Sequence, residues 1–174
     1  MQFDLQQAVE ILKRTPHIVD IWLRELPDEW IFSNEGGDSW NAFDIVGHFI
    51  HGEDTDWIPR MNIILSESAD KNFEPFDRFA QVEKSKGKTL NDLLDEFKQK
   101  RIQNLNALTS ADLRSQRLQL KGIHPAFGEV TLEQLLSAWV VHDLAHINQL
   151  SRVMAKQYSK AVGPWKEYMS ILNR

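Results

Sequence analysis

Apolar residues recur along this chain at spacings of three and four, and no stretch alternates strictly enough to read as a convincing sheet. Four long segments carry the helical period. In the first, residues 4–26, Leu5, Val9, Leu12, Val19, Trp22, Leu23 and Leu26 form one stripe. Asp4 is placed to cap it with Gln7 reaching back, and Pro16 predicts a kink near Thr15. Pro27-Asp28 ends it, and Asn34-Glu35-Gly36-Gly37-Asp38 signals a turn.

The second segment, 40–66, opens on Ser39 or Asn41 as cap. Phe43, Val46, Ile50 and Trp57 make one stripe, with Ile45 and Phe49 roughly opposite. A helix apolar on two sides belongs between neighbours in a bundle. Pro59 is expected to bend or break it and set 60–66 apart. Residues 67–88 are polar and read as a long crossover anchored by Phe73, Phe76 and Phe79. The third segment, 89–108, is capped by Thr89 and turns Leu90, Leu93, Leu94, Phe97, Ile102, Leu105 and Leu108 inward, with Ser110 as the cap of a further short turn. Residues 117–130 read as an irregular link with a short extended piece at Leu118–Leu120. The fourth segment, 131–156, begins with the capping-box pair Thr131 and Gln134. Gly163-Pro164 marks a loop, and 165–172 a short tail helix. The sum is an all-α four-helix bundle with a long crossover between its second and third helices, built as a single domain over 1–174.

Composition narrows the chemistry. The 174 residues include six histidines and no cysteine, which removes disulfides, thiolate metal sites and a cysteine nucleophile. The net charge of −5 gives no electrostatic footprint for nucleic acid. The longest apolar run, Ala138 to Val141, is far too short to span a membrane. MQFDLQQAVE lacks the basic start and apolar run of a secretory signal, so a cytoplasmic protein is expected.

On the fourth helix His142 and His146 both fall within the apolar stripe marked by Leu135, Trp139, Leu150 and Val153. Their spacing of four stacks the rings one turn apart on one face. A buried imidazole without a partner costs about 1–3 kcal/mol. A divalent ion held by both rings is one remedy, and hydrogen bonds to core carboxylates or carbonyls are the other. A useful site needs a third donor, and either His48 or His51 of the second helix is a candidate. Gln149 lies beside His142 on the wheel, able to orient a ligand or bind substrate. Asp143 is placed to pair with a histidine of another helix or with Arg152, and Glu53 turns away from His48. His17 and His124 are expected as bystanders, and Trp40, Trp57 and Trp139 as core. His142-Asp143-Leu144-Ala145-His146 has an aspartate where H-E-x-x-H proteases need glutamate, which disfavours a protease.

The stretches Ser39-Trp40-Asn41-Ala42-Phe43-Asp44-Ile45-Val46-Gly47-His48-Phe49-Ile50-His51-Gly52-Glu53 and Trp139-Val140-Val141-His142-Asp143-Leu144-Ala145-His146-Ile147-Asn148-Gln149 resemble the second- and fourth-helix motifs of the DinB-like superfamily, which includes YfiT-like proteins and transferases using bacillithiol or mycothiol. The resemblance extends over nearly the whole chain in helix order and length. It implies an up-down-down-up bundle, a nickel or zinc ion on His48, His142 and His146, and a homodimer. His51, Asp143 and Gln149 are left as neighbours of that site.

Three histidines leave a coordination position open, which marks a catalytic rather than a closed structural site. Such an ion acidifies bound water or a bound thiol. Three functions follow as expectations. The first is an S-transferase joining a low-molecular-weight thiol to a small electrophile. The others are a metal-dependent hydrolase and a non-enzymatic metal-binding or dimerisation module.

Overall fold

Every long helix begins on a side-chain cap. Asp4 accepts the Gln7 amide at 2.8 Å. Asn41 with Asp44, Thr89 with Asp92, and Thr131 with Gln134 close reciprocal capping boxes, so two otherwise orphaned amides are satisfied at each start. The computed structural model describes residues 2–173. Its helices are α1 (Leu5–Leu23), α2 (Asp28–Phe32), α3 (Ala42–Thr55), α4 (Trp57–Leu65), α5 (Ala80–Lys84), α6 (Leu90–Ser110), α7 (Ser115–Leu118) and α8 (Leu132–Gln157). A hairpin of β1 (Lys121–His124) and β2 (Gly128–Thr131) precedes α8.

The bundle has four legs: α1, α3 continued by α4, α6, and α8. Their directions follow from the core. Val19 and Leu23 of α1, Ile45 to Ile50 of α3, Leu90 to Phe97 of α6, and Leu150 and Val153 of α8 form one apolar cluster. Leu12, Trp57 to Ile64, Leu105, Leu108, and Leu132 to Trp139 form the other. So α1 and α8 run one way and α3 and α6 the other, an up-down-down-up arrangement. The crossover carries the chain back to the end where α3 began.

Both prolines act as physical chemistry dictates. Pro59 has no N–H to give Thr55, four residues back, and the helix breaks there, with Asp56 standing between α3 and α4. Pro16 lies inside α1, which runs on through it. The carbonyl it leaves without a helical partner is that of Leu12, and Arg101 Nη1 donates to that oxygen at 2.7 Å.

Other expectations are corrected. Ile102 does not face inward but is 52% exposed, while its neighbour Arg101 is 1% exposed. Phe73 anchors the crossover, whereas Phe79 is exposed. Ser110 ends α6 rather than capping the next turn, which is α7. The extended piece is not Leu118–Leu120 but the hairpin that follows. Its strands are only four residues each, too short for alternation to show. The hairpin is tied to the crossover: Phe73 N–H donates to the Ile123 carbonyl and Ile123 N–H to that of Lys71. Gly122 is required there, because a Cβ would lie 2.4 Å from the Phe73 ring. The tail is two short 3-10 turns, Gly163–Tyr168 and Ser170–Leu172.

Between the two apolar clusters lies a buried polar waist. Arg101 of α6 donates to Glu53 of α3 at 2.7 Å and to Asp143 of α8 at 2.6 Å. Asn104 donates to the second Glu53 oxygen at 2.9 Å. Burial acts to raise both carboxyls. At Asp143 burial is opposed chiefly by the Arg101 guanidinium, together with neighbouring donors, and the group lies below the usual aspartate range. Deleting one member of such a network leaves an uncompensated buried charge. Arg101→Met is therefore expected to lose about 3–5 kcal/mol in urea unfolding. A loss below about 1 kcal/mol would show the waist to be incidental.

Candidate metal centre

His48 sits in the second turn of α3, and His142 and His146 lie one turn apart in the middle of α8. The antiparallel packing of α3 on α8 brings the three rings together. One nitrogen from each lies within 4.8 Å of the others. The Nε2 atoms of His48 and His142 are 3.0 Å apart. Tetrahedral bonds of about 2.0–2.1 Å place ligand nitrogens about 3.3 Å apart, so small ring rotations make room for an ion.

The donor set suits one in protonation as well. Burial pushes His48 down to about 2, helped by His146 and His142 nearby. Burial likewise pushes His146 down to about 4, with His142 next in effect. Neutral rings keep the lone pairs that a metal requires. His48 Nδ1 and His142 Nδ1 are buried without hydrogen-bond partners. His146 Nδ1 lies 2.7 Å from Gln149 Oε1, and donating there leaves its Nε2 for an ion.

Aromatic rings wall the cluster. Trp40 lies 4.7 Å from His48, Phe49 5.6 Å from His146, and Trp57 5.1 Å from His142, each between ring centroids. Trp40, expected as core, thus also packs on the histidines.

The remaining candidates fall differently. His51 lies outside the three-nitrogen cluster. Its Nδ1 accepts from Lys84 Nζ at 3.1 Å and its ring packs on Phe76. Burial and then the Lys84 charge hold it below its ordinary pKa. Asp143 does not pair with Arg152, which bonds Glu35 at 2.8 Å instead. It belongs to the waist, with its Oδ1 3.8 Å from His142 Nδ1, beyond hydrogen-bond reach. Gln149 bonds His146 rather than His142, as a spacing of three on one helix allows. Glu53 gives its oxygens to Arg101 and Asn104, away from the histidines.

The three histidines line an open cavity of 660 Å³. Its other walls hold residues that periodicity passed over. Asp56 and Arg60 pair at 2.7 Å, their side chains only 13% and 8% exposed. Arg78 stacks over Trp40 at 5.6 Å and pairs with no carboxylate among the described residues. His124, expected as a bystander, lies on the wall and accepts the Ala126 amide at 3.1 Å. The signal for Asp56 and Arg60 was available in Pro59, which fixes where the helix must break. Nothing local in the sequence marks His124 or Arg78.

Comparison with known proteins places the fold. The chain resembles YfiT from Bacillus subtilis, described as a probable metal-dependent hydrolase with an unusual four-helix bundle topology. The two structures match with a TM-score of 0.74 at 18% identity, over 87% of this chain and 86% of that one. No curated protein matches. The model of the DinB superfamily matches residues 11–150, most of the chain including all three clustered histidines, and the protein belongs to that superfamily.

Proposed function

We propose that this protein is a divalent-metal-dependent enzyme that holds nickel or zinc on His48, His142 and His146 and joins a low-molecular-weight thiol to a small electrophile. One observation carries it: three imidazole nitrogens within 4.8 Å, on the wall of an open cavity. When bound, such an ion supplies acidification of a thiol or water at neutral pH. The chain's own residues do the rest. Gln149 holds His146 in the tautomer that presents Nε2. Trp40, Phe49 and Trp57 pack against the ligand rings and hold their orientation. The chain has no cysteine of its own, so a thiol nucleophile comes from outside. Water as nucleophile is the second reading, favoured by the likeness to YfiT, and makes the protein a hydrolase. Either enzyme is proposed as a cytoplasmic homodimer acting on a small molecule.

Metal analysis of untagged protein loaded with nickel or zinc is expected to give close to one ion per chain, and His48→Ala to lose it. Gln149→Leu is expected to weaken affinity about 10- to 100-fold without unfolding the chain. Sub-stoichiometric metal in the parent would remove the proposal.

The metal-free protein should be acid-sensitive. His48 and His146 are depressed in the fold and return to about 6.5 when unfolded, so the unfolded chain binds more protons below that pH. Stability is therefore full above about pH 7 and falls as pH drops through 6.5 toward 4. The slope is up to about 1.4 kcal/mol per pH unit for each ring. Thermal unfolding of chelated protein between pH 7 and 4.5 checks this, and His146→Gln should flatten the dependence. A pH-independent midpoint would contradict buried neutral rings.

A panel of aryl halides and esters separates the nucleophiles. Turnover of an aryl halide with bacillithiol, and none in buffer alone, supports the transferase. Ester cleavage without thiol supports the hydrolase. Silence across both with metal bound indicates a metal-binding module without catalysis.

A further inference from the structure

The structure points to a substrate with an apolar body, aryl or short alkyl, and we propose that this body lies in a groove running from the histidines to the hairpin. The inference rests on the metal reading above.

The groove has a volume of 450 Å³, within the range of small-molecule sites, and lies between α4, α8 and the hairpin. Its lining is mainly apolar, from Trp57, Phe73, Phe127, Val130, Leu135 and Ala138, with Glu129 and Gln134 as polar members on the hairpin and α8. It is continuous in its walls with the histidine cavity, since Asp56, Arg60 and His124 line both. Helix geometry gives the direction. Ala138 precedes His142 by one turn and Leu135 by two, so the stripe that presents His142 to the cluster leads straight into the groove. On the facing side, Trp57 packs 5.1 Å from His142 and stacks on Trp139 at 5.7 Å.

The junction is polar and fixed. Asp56, immediately before α4, pairs with Arg60 in its first turn, and the Arg60 guanidinium lies over the Phe73 ring at 5.3 Å. A ligand would thus meet the histidine cluster and an ion pair at one end and aromatic walls at the other. Phe127 shows where the apolar end lies. It sits between β1 and β2, 77% exposed, stacked on the His124 ring at 4.4 Å and 16°. An exposed phenyl held flat at the mouth of an apolar cleft gains by covering an apolar ligand. A cleft of this size suits a ring or short chain rather than a partner protein, whose stable contact covers about 800 Å² per side.

Hydroxamates test this, because their head group binds the metal while the tail varies. Binding of acetohydroxamate and 4-phenylbutanohydroxamate to zinc-loaded protein is measured by calorimetry. The phenylbutyl compound is expected to bind about tenfold more tightly or better. Phe127→Ala and Ala138→Gln, at exposed positions, should each move that affinity ratio toward one while zinc content matches the parent. Equal affinity of the two compounds in the parent overturns the groove, as does a ratio that survives both substitutions. Failure of the parent to take up zinc overturns the metal reading, and this inference with it, whereas a zinc-loaded protein that binds neither compound overturns the groove alone. A change of oligomeric state in the variants, without a tail effect, assigns the face to contact between copies instead.

Discussion

The bundle turns on one buried guanidinium. Arg101 reaches Glu53 on α3, Asp143 on α8 and the Leu12 carbonyl on α1, so a single side chain of α6 touches all three other legs. Hydrophobic packing is non-directional and tolerates sliding of one helix along another. Charge-assisted bonds of 2.6–3.0 Å do not. The clamp therefore sets axial register. Glu53 lies five residues beyond His48, and Asp143 directly follows His142. Holding those carboxylates on one guanidinium fixes the height at which the histidine-bearing turns of α3 and α8 meet.

The clamp also bears on the carboxylates beside the histidines. Buried carboxylates beside imidazoles would favour the protonated rings. Here both carboxylates are engaged by Arg101, and Asp143 stays beyond hydrogen-bond reach of His142. Burial and mutual repulsion then dominate at His48 and His146, and both rings stay neutral. The waist and the cluster are thus complementary: the waist holds the buried charge, and the cluster keeps the lone pairs.

Two prolines fit the backbone to this plan. Pro16 frees the Leu12 carbonyl, the acceptor that completes Arg101. Pro59 breaks the second leg just past the waist, and the break sets Asp56 at its junction. Asp56 and Arg60 thereby reach the wall shared by the histidine cavity and the apolar groove.

Much of this was legible in the sequence, and the rest was hidden for physical reasons. Helical period and capping patterns gave the four legs, because amphipathicity and caps are local signals. The His142/His146 pair showed itself as polar rings inside an apolar stripe. Choosing His48 over His51 required the family resemblance, since one helix wheel cannot say which neighbour it faces. The waist was missed although it left a trace. Glu53, Arg101 and Asp143 each follow a buried aromatic by four residues, after Phe49, Phe97 and Trp139, and so lie on inward stripes. Assigning Ile102 inward in place of Arg101 followed hydrophobicity where geometry favoured the charged residue. A charge on a core stripe must have a partner on another helix. With two acids on such stripes and one base, the partners were determined by elimination. The hairpin left no such trace, since its strands are short and its docking depends on the Phe73 ring lying over Gly122, a contact between segments about fifty residues apart.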